Sequence, residues 1–504
     1  MELLDRMPAI RRAFHRSVES HLSVMELSLN GHRSENEPSI IEARCPVAET
    51  AFSRRQSQMT RTKLLSAATT IAALALATAP AMAQTKFEFW YGLSGDLSER
   101  IQEMCGTFNQ SQADYEIVCV SQETYENNLQ NTIAAFRADK QPTVTQISDG
   151  GTLDLMLSGA YVPVRQLMEE NGYDIKWDDY FSGIASYYST SSGELLSMPF
   201  NSSTAMFYYN SDALKAVGFE GAPQTWEQVE KIARDLKAAG YDCPVAFDPT
   251  GTWQWFEQFS AAHNQPIASN GNGFGGLDAV VEFNQGKFVD QLTWIKKMYD
   301  EGLFVAKSKA IGETANDAFV NAKCQMSSSS IADHGTFGKQ AIEGMHWDVT
   351  MLPLWEGTER TNTLVGGASL WTLKGSTPDQ YKGAAAFYAF LATPKQAEWW
   401  STVTGYIPVT NSGFKAMTDK GFYSAAPYKG RELAIQSLTA TPPTEYTRGV
   451  RLGNFGAIRL EVANAMQEVL FNNVPVQQAL DAAAERSNAV LRKFEATYPG
   501  QTLP

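Results

Sequence analysis

Downstream of residue 83, the side chains that most readily ligate a metal or attack a substrate are His263, His334 and His346, with Cys105, Cys119, Cys243 and Cys324. Their spacing argues against both uses. No two histidines share one helical turn and no Cys-x-x-Cys pair occurs, so neither a zinc site nor a redox motif is expected, and each histidine reads as a surface or core residue. The chain also lacks a Gly-x-Ser-x-Gly elbow, a His-Glu-x-x-His pair and a phosphate loop ending in Gly-Lys-Ser/Thr. A glycosidase needs only two suitably spaced carboxylates and leaves no local motif. With 55 Asp and Glu available, a secreted hydrolase therefore stands as one alternative function.

Composition narrows the field. The 504 residues are 43% hydrophobic and 19% charged, which fits a large globular protein. With 41 Lys and Arg the net charge is −14, and no nucleic-acid partner is expected of so acidic a chain. Met59-Thr-Arg-Thr-Lys63, an apolar stretch over 64–79 and Ala81-Met82-Ala83 have the order of a secretory signal peptide with an Ala-x-Ala cleavage site. Translation is expected to begin at Met59, so that 1–58 form an upstream extension outside the fold and 59–83 the signal. Residues 1–83 carry ten Lys and Arg against eight Asp and Glu, so their removal leaves a still more acidic exported, periplasmic product. No second apolar run is long enough to span a bilayer.

In an oxidising compartment four cysteines suggest two disulfides. Leu97, Ile101, Met104, Cys105 and Phe108 share one helical face, and Cys119 lies on the strand 115–120 expected beneath it. That favours Cys105 with Cys119, leaving Cys243 with Cys324; four buried thiols are the alternative.

The positioning elements follow from periodicity. Lys86-Phe87-Glu88-Phe89-Trp90-Tyr91 alternates as a strand, and helix 97–108, strand 115–120, helix 125–138 and strand 143–147 come next, the order of a parallel α/β sheet. Thr225-Trp226-Glu227-Gln228 reads as a capping box for a helix that Gly240 stops. Val474-Pro475 opens a last helix with Val476, Leu480, Ala484, Val490, Leu491 and Phe494 on one stripe. A chain this long exceeds one core, and two lobes are expected.

Residues 199–210, Pro-Phe-Asn-Ser-Ser-Thr-Ala-Met-Phe-Tyr-Tyr-Asn, followed by Leu214, resemble the signature of family 1 extracellular solute-binding proteins, apart from Met206 where the family has a smaller residue. Residues 128–137, 364–371, 404–408 and 451–459 are similar to those members that bind sn-glycerol 3-phosphate for an ABC importer. The likeness runs from about Phe87 to Phe494.

The resemblance implies an α/β, two-lobe periplasmic binding protein of the type II clamshell kind, with three inter-lobe crossings near 199–204, 324–329 and 370–374. The first lobe would then comprise 84–200 and 330–372, the second 201–329 and 373–504. It further implies a monomeric, non-enzymatic protein without cofactor or metal, which captures glycerol 3-phosphate or glycerophosphodiesters and delivers them to membrane permease subunits. The family's ligand positions fall on Tyr125, Asp149, Ser203, Ser330, Gly367, Tyr406 and Arg459. Arg459 would supply a fixed positive charge; Ser330, Tyr406 and the Gly367 N–H would donate to phosphate oxygens. Asp149 would accept from glycerol hydroxyls beside Ser203 and Tyr125. It is shorter than the family's Glu, a reach that a bridging water can complete. Trp253 and Trp255 stand where a stacking wall or core packing is expected. A sugar or oligosaccharide ligand in the same fold is the other alternative, with aromatic stacking dominant and Arg459 dispensable.

Overall fold

The computed structural model describes residues 84–504, and the upstream extension and signal peptide expected over 1–83 lie outside the described residues. Eleven strands follow one another among the described residues: β1 (Thr85–Tyr91), β2 (Tyr115–Ser121), β3 (Val144–Ser148), β4 (Tyr161–Val162), β5 (Met198–Ser203), β6 (Ala205–Asn210), β7 (Cys243–Phe247), β8 (Phe304–Ala306), β9 (Cys324–Ser330), β10 (Trp347–Met351) and β11 (Gly366–Leu373). They form two sheets. The first has the order β2-β1-β3-β11-β4, with β5 also paired to β11; the second has the order β10-β6-β9-β7-β8.

In the first sheet β1 lies parallel to β2 and β3, as the alternation of strands and helices requires. Phe87, Phe89 and Tyr91 point into the core while Lys86 and Glu88 are exposed, the period-two pattern of a half-buried strand. The helix Gly95–Ser111 covers this sheet with Ile101, Met104, Cys105 and Phe108. A β11 strand from far downstream then inserts antiparallel between β3 on one side and β4 and β5 on the other.

The second sheet gathers its own core. Helix Trp226–Ala238 buries Trp226, Val229, Ile232, Ala233 and Leu236. Its cap is formed on one side only: Thr225 Oγ1 accepts from Gln228 N, but Gln228 Oε1 accepts from Gln224 N one residue further out. The last helix, Val476–Thr497, has Pro475 as its N-cap. It packs with Phe455–Asn472 into the second core, while Phe494 and Tyr498 reach the cluster around Ile147, Leu153 and Trp371.

Residues 199–210 are not one strand. β5 ends at Ser203 in the first sheet, Thr204 is the joint, and β6 starts at Ala205 in the second. The other crossings fall elsewhere than expected. β9 pairs with β6 and β7 inside the second sheet, so the chain does not leave that sheet at 324–329. β10 is still a second-sheet strand through its antiparallel pairing with β6, and the return to the first sheet occurs between β10 and β11. Nor is there a crossing at 370–374, because helix Pro378–Leu391 goes on to pack Phe387 against Phe89 and Phe108 of the first core. The stretch 330–372 thus contains a strand of the second sheet, and 373–504 begins with helices of the first lobe. Apolar runs mark what is buried; they do not say which sheet buries it.

Both disulfides join the expected partners: Cys105 with Cys119, linking the first helix to β2, and Cys243 with Cys324, at a registered pair of neighbouring strands. Of the histidines, His346 is exposed beside Asp212. His263 and His334 are buried and hydrogen-bonded as neutral rings: His263 donates from Nδ1 to Phe259 O and accepts at Nε2 from Trp355 N, while His334 Nδ1 accepts from Arg431 Nε. Burial, aided by nearby cations, pulls His263 down to about 4 and His334 down to about 3.

Two outcomes are expected. The Cys243–Cys324 bridge spans 81 residues and Cys105–Cys119 only 14. Loop-closure entropy therefore assigns about 4.5 kcal/mol to the first and about 3 kcal/mol to the second, so replacing the long-range pair by serines should lower the denaturant midpoint more. The histidine pKa values lie below the ordinary value of about 6.5, so between there and about 4 the unfolded chain binds more protons, and stability should fall as pH falls. The slope of unfolding free energy against pH should be shallower in His263→Phe than in the parent, whatever the variant's absolute stability.

Candidate functional site

The predicted ligand positions converge where the two sheets exchange strands. Ser203, the last residue of β5, stands opposite Gly366, and Ser202 opposite Gly367. Across the joint Ala205 faces Ser330, and Ile331 N donates to Thr204 O. Ile407 forms a bridge to Ser202, which carries Tyr406 to the same place. The joint is itself held: Thr204 Oγ1 donates within a buried cluster of Gln258 and Thr363, and Gln258 clasps both backbone groups of Leu364.

Glycine makes this convergence possible. Gly367 has φ +105°, and a Cβ built there would sit 1.9 Å from Asn201 O. At Gly366 the same atom would lie 2.1 Å from the Trp253 ring, so that indole packs directly on the β11 backbone. Gly405 approaches Ile331 O and Ala332 O as closely, which seats Tyr406 beside Ser330. Ser330 Oγ accepts from Ala332 N, leaving its own proton to donate.

A directed hydrogen-bond chain runs into the site from the first lobe. Gly92 N donates to Gln146, Gln146 Nε2 to Asn201 Oδ1 at 2.8 Å, and Asn201 Nδ2 to Tyr125 Oη at 2.7 Å. Tyr125, at the start of helix Tyr125–Arg137, is paired in turn with the Tyr406 hydroxyl. Burial pushes Tyr406 up to about 12 and raises Tyr125 well above the ordinary tyrosine value, so both stay protonated donors at neutral pH.

The charged part lies beside this chain. Asp149 is the first residue after β3, at a strand's carboxyl end, where α/β sheets place ligands. Arg459 projects from helix Phe455–Asn472, whose first turn is tied to Asp154 through Asn454 N. Arg459 Nη2 donates to Asp149 Oδ2 at 2.5 Å; its Nε and Nη2 donate to the two oxygens of Glu257, each at 2.7 Å. Its guanidinium also lies over the Phe455 ring, and Gly150 is near enough that a Cβ would come 2.8 Å from Nη1. Burial opposes the charge on Arg459, but Asp149 and Glu257 outweigh it and hold its pKa above the ordinary arginine value.

Two predicted ligand residues, Asp149 and Arg459, are thus partners of each other, and the sequence reading missed the third member. Glu257 is only 1% exposed. A signal for it existed: it is the one acid in Trp253-Gln-Trp-Phe-Glu-Gln-Phe259, and a charge within an aromatic run requires a buried partner. Asn201 was missed as well, hidden inside the strand motif. Residues Trp253–Glu257 wind as a π turn, closed by the bond from Gln258 N to Trp253 O. That turn separates the two tryptophans: Trp255 is buried among Trp226, Phe247 and Phe304, and Trp253 faces Gly366. Among the described residues no cluster of His, Cys, Asp and Glu could hold a metal ion, and no helix is long and apolar enough to cross a membrane.

Two α/β lobes with oriented donors, a guanidinium and an aromatic wall where their strands meet define a solute-binding protein of the clamshell kind. The family model for bacterial extracellular solute-binding protein matches residues 103–425, and the chain belongs to this family. The sn-glycerol-3-phosphate-binding periplasmic protein UgpB of Yersinia enterocolitica is 38% identical over 434 residues, 84% of this chain and 97% of that one. The protein of the same name from Escherichia coli O6:H1 is 37% identical over 437 residues, covering 84% and 98%. Among solved structures, UgpB from Mycobacterium tuberculosis in complex with glycerophosphocholine matches with TM-score 0.69 at 17% identity, over 82% of this chain and 99% of that one. The sugar-binding protein MalE of Xanthomonas citri matches with TM-score 0.65 at 17% identity, over 83% and 100%.

Gly367→Ala should fail for two reasons, a positive φ and a Cβ against the Asn201 carbonyl. Strain of about 1–3 kcal/mol is expected from the backbone alone, and the displaced Asn201 should disorder the Tyr125–Tyr406 pair. A lowered thermal midpoint together with lost ligand binding is the expected result, while a parent-like midpoint would show that β11 does not need this approach.

Proposed function

We propose that the protein is the exported substrate-binding component of an ABC importer, capturing sn-glycerol 3-phosphate or a glycerophosphodiester such as glycerophosphocholine and presenting it to membrane permease subunits. The observation that carries this reading is the meeting of Tyr125, Tyr406, Ser330, the Gly367 backbone and Arg459 at one inter-lobe joint. In a chain 38% identical to a glycerol-3-phosphate-binding protein over nearly that protein's whole length, these positions have a coherent use. Oriented neutral donors and one guanidinium suit a phosphate oxygen, and the Asn201 amide and Ser203 hydroxyl are groups that can bond glycerol hydroxyls.

Capture works by lobe closure, since donors from both sheets touch one ligand only in the closed arrangement. The protein acts as a periplasmic monomer and without turnover, in keeping with the binding role of its relatives. Long-range repulsion between an acidic protein and an anion is screened beyond ~10 Å at ordinary salt, so local donors decide affinity. A sugar ligand is the second reading. Trp253 favours it: the indole is only half-buried, and the part that β11 leaves uncovered is a flat surface on which a sugar ring can stack.

Calorimetric titration with glycerol 3-phosphate, glycerophosphocholine and maltose separates the two. One-to-one binding of a phosphate compound with no response to maltose is expected, and maltose binding alone would replace the phosphate reading by the sugar one. Arg459→Ala should weaken phosphate-ligand binding at least a hundredfold while the far-ultraviolet circular dichroism stays that of the parent; unchanged affinity would remove Arg459 from the site.

A further inference from the structure

Arg459 is neutralised by two carboxylates, and a second buried guanidinium is not. Arg431 is only 4% exposed, yet among the described residues no carboxylate pairs with it. Its Nε donates to His334 Nδ1 at 3.1 Å, and its Nη1 donates to Ser401 O at 2.8 Å and to Thr404 O at 2.6 Å. A guanidinium has five N–H groups, so the two on Nη2 are left without an acceptor in the protein. Asp333, the acid next to His334 in sequence, is committed to Ser329 Oγ and Asn316. A desolvated charge that meets only neutral acceptors calls for a counter-ion. The two arginines differ accordingly: burial holds Arg431 below the ordinary arginine value, whereas Asp149 and Glu257 hold Arg459 above it.

Nη2 has open space in front of it. A Cβ built on Gly335 would come 3.3 Å from Nη2, and Gly335 and Arg431 line one cleft of about 810 Å³. Arg100 of helix Gly95–Ser111 and Thr402 of helix Pro394–Val403 wall this cleft from the first lobe, and Trp347 of β10 walls it from the second sheet. Tyr428 lies against the Arg431 guanidinium at 5.0 Å. The other cations of the wall already have acids: Arg100 pairs with Glu103, Lys339 with Asp96 and Lys429 with Asp348. His334 Nε2 meets Lys429 O, and His346 turns to Asp212. None of the seven predicted ligand positions lines this cleft.

We propose that the cleft is a second anion site, in which Arg431 Nη2 binds a small oxyanion bearing a carboxylate or a phosphate group. The two N–H of Nη2 supply charge-assisted donors, which are the strong ones where water is largely excluded. The rings of Trp347 and Tyr428 leave room for the body of an organic anion as well as for inorganic phosphate. The occupant also bears on the first site, because the same guanidinium holds Thr404 O two residues before Tyr406.

Calorimetric titration of the protein with inorganic phosphate and with acetate, at constant ionic strength, tests the proposal, and its two arms tell which oxyanion is preferred. Saturable uptake of at least one of them is expected, and Arg431→Met should remove it. Because Arg431 also holds Ser401 and Thr404, a second variant leaves those bonds in place. Gly338 lines the same cleft, and a Cβ there meets nothing within 4 Å. Gly338→Glu therefore adds a carboxylate to the cleft and should weaken the uptake by about tenfold or more, while anion binding at Arg459 would not respond to it. Absence of uptake of both anions by the parent protein, or uptake of parent strength in Gly338→Glu, would overturn the proposal.

Discussion

A guanidinium withdrawn from water has to be neutralised by its neighbours, and the architecture around Arg459 follows from that demand. Removing one partner of a buried ion pair costs about 3–5 kcal/mol, because the other charge is left uncompensated. Here the partners come from opposite sides: Asp149 follows a strand of the first sheet, while Glu257 and Arg459 belong to elements of the second core. The trio therefore settles where three separate elements end. The π turn sets Glu257 at the correct height, the Asp154 contact sets the start of the Arg459 helix, and Gly150 lets the Asp149 backbone approach.

The neutral half of the site solves a different problem with the same economy. Hydroxyl protons rotate freely unless something fixes them, and the sequence of donors from Gly92 through Gln146 and Asn201 fills an acceptor position of the Tyr125 hydroxyl and so restricts where its own proton can point. Gln146 and Asn201 are ordinary polar residues buried inside β3 and β5, and Tyr125 opens a helix. Preorganised donors lose little freedom when a ligand arrives, and this is the physical source of affinity where charges cannot be multiplied.

Much of this was legible in the sequence. Alternation in β1, the helical face carrying Cys105 and the strand carrying Cys119 gave the first sheet and one disulfide, because these patterns depend on near neighbours in the chain. The crossings were legible only in part. Thr204 lies inside a motif and was found, but the membership of β10 and β11 is decided by pairing with β6 and β3 over more than a hundred residues, which no local pattern records. The site divides in the same way. The family motif led to Arg459 and Asp149, yet not to their contact, and Glu257 left only the trace of a single acid among aromatic residues. Asn201 carried no trace at all, since an asparagine within a strand looks alike whether it orders a tyrosine or faces solvent.

The two disulfides have a mechanical meaning. One fastens a helix to the edge strand of the first sheet, and the other ties adjacent strands of the second. Neither reaches across from one sheet to the other. Covalent bracing thus stiffens each jaw internally and leaves their relative rotation to the backbone around Thr204 and to breakable contacts, so the molecule can be hardened against a harsh external medium without losing the freedom to open and shut.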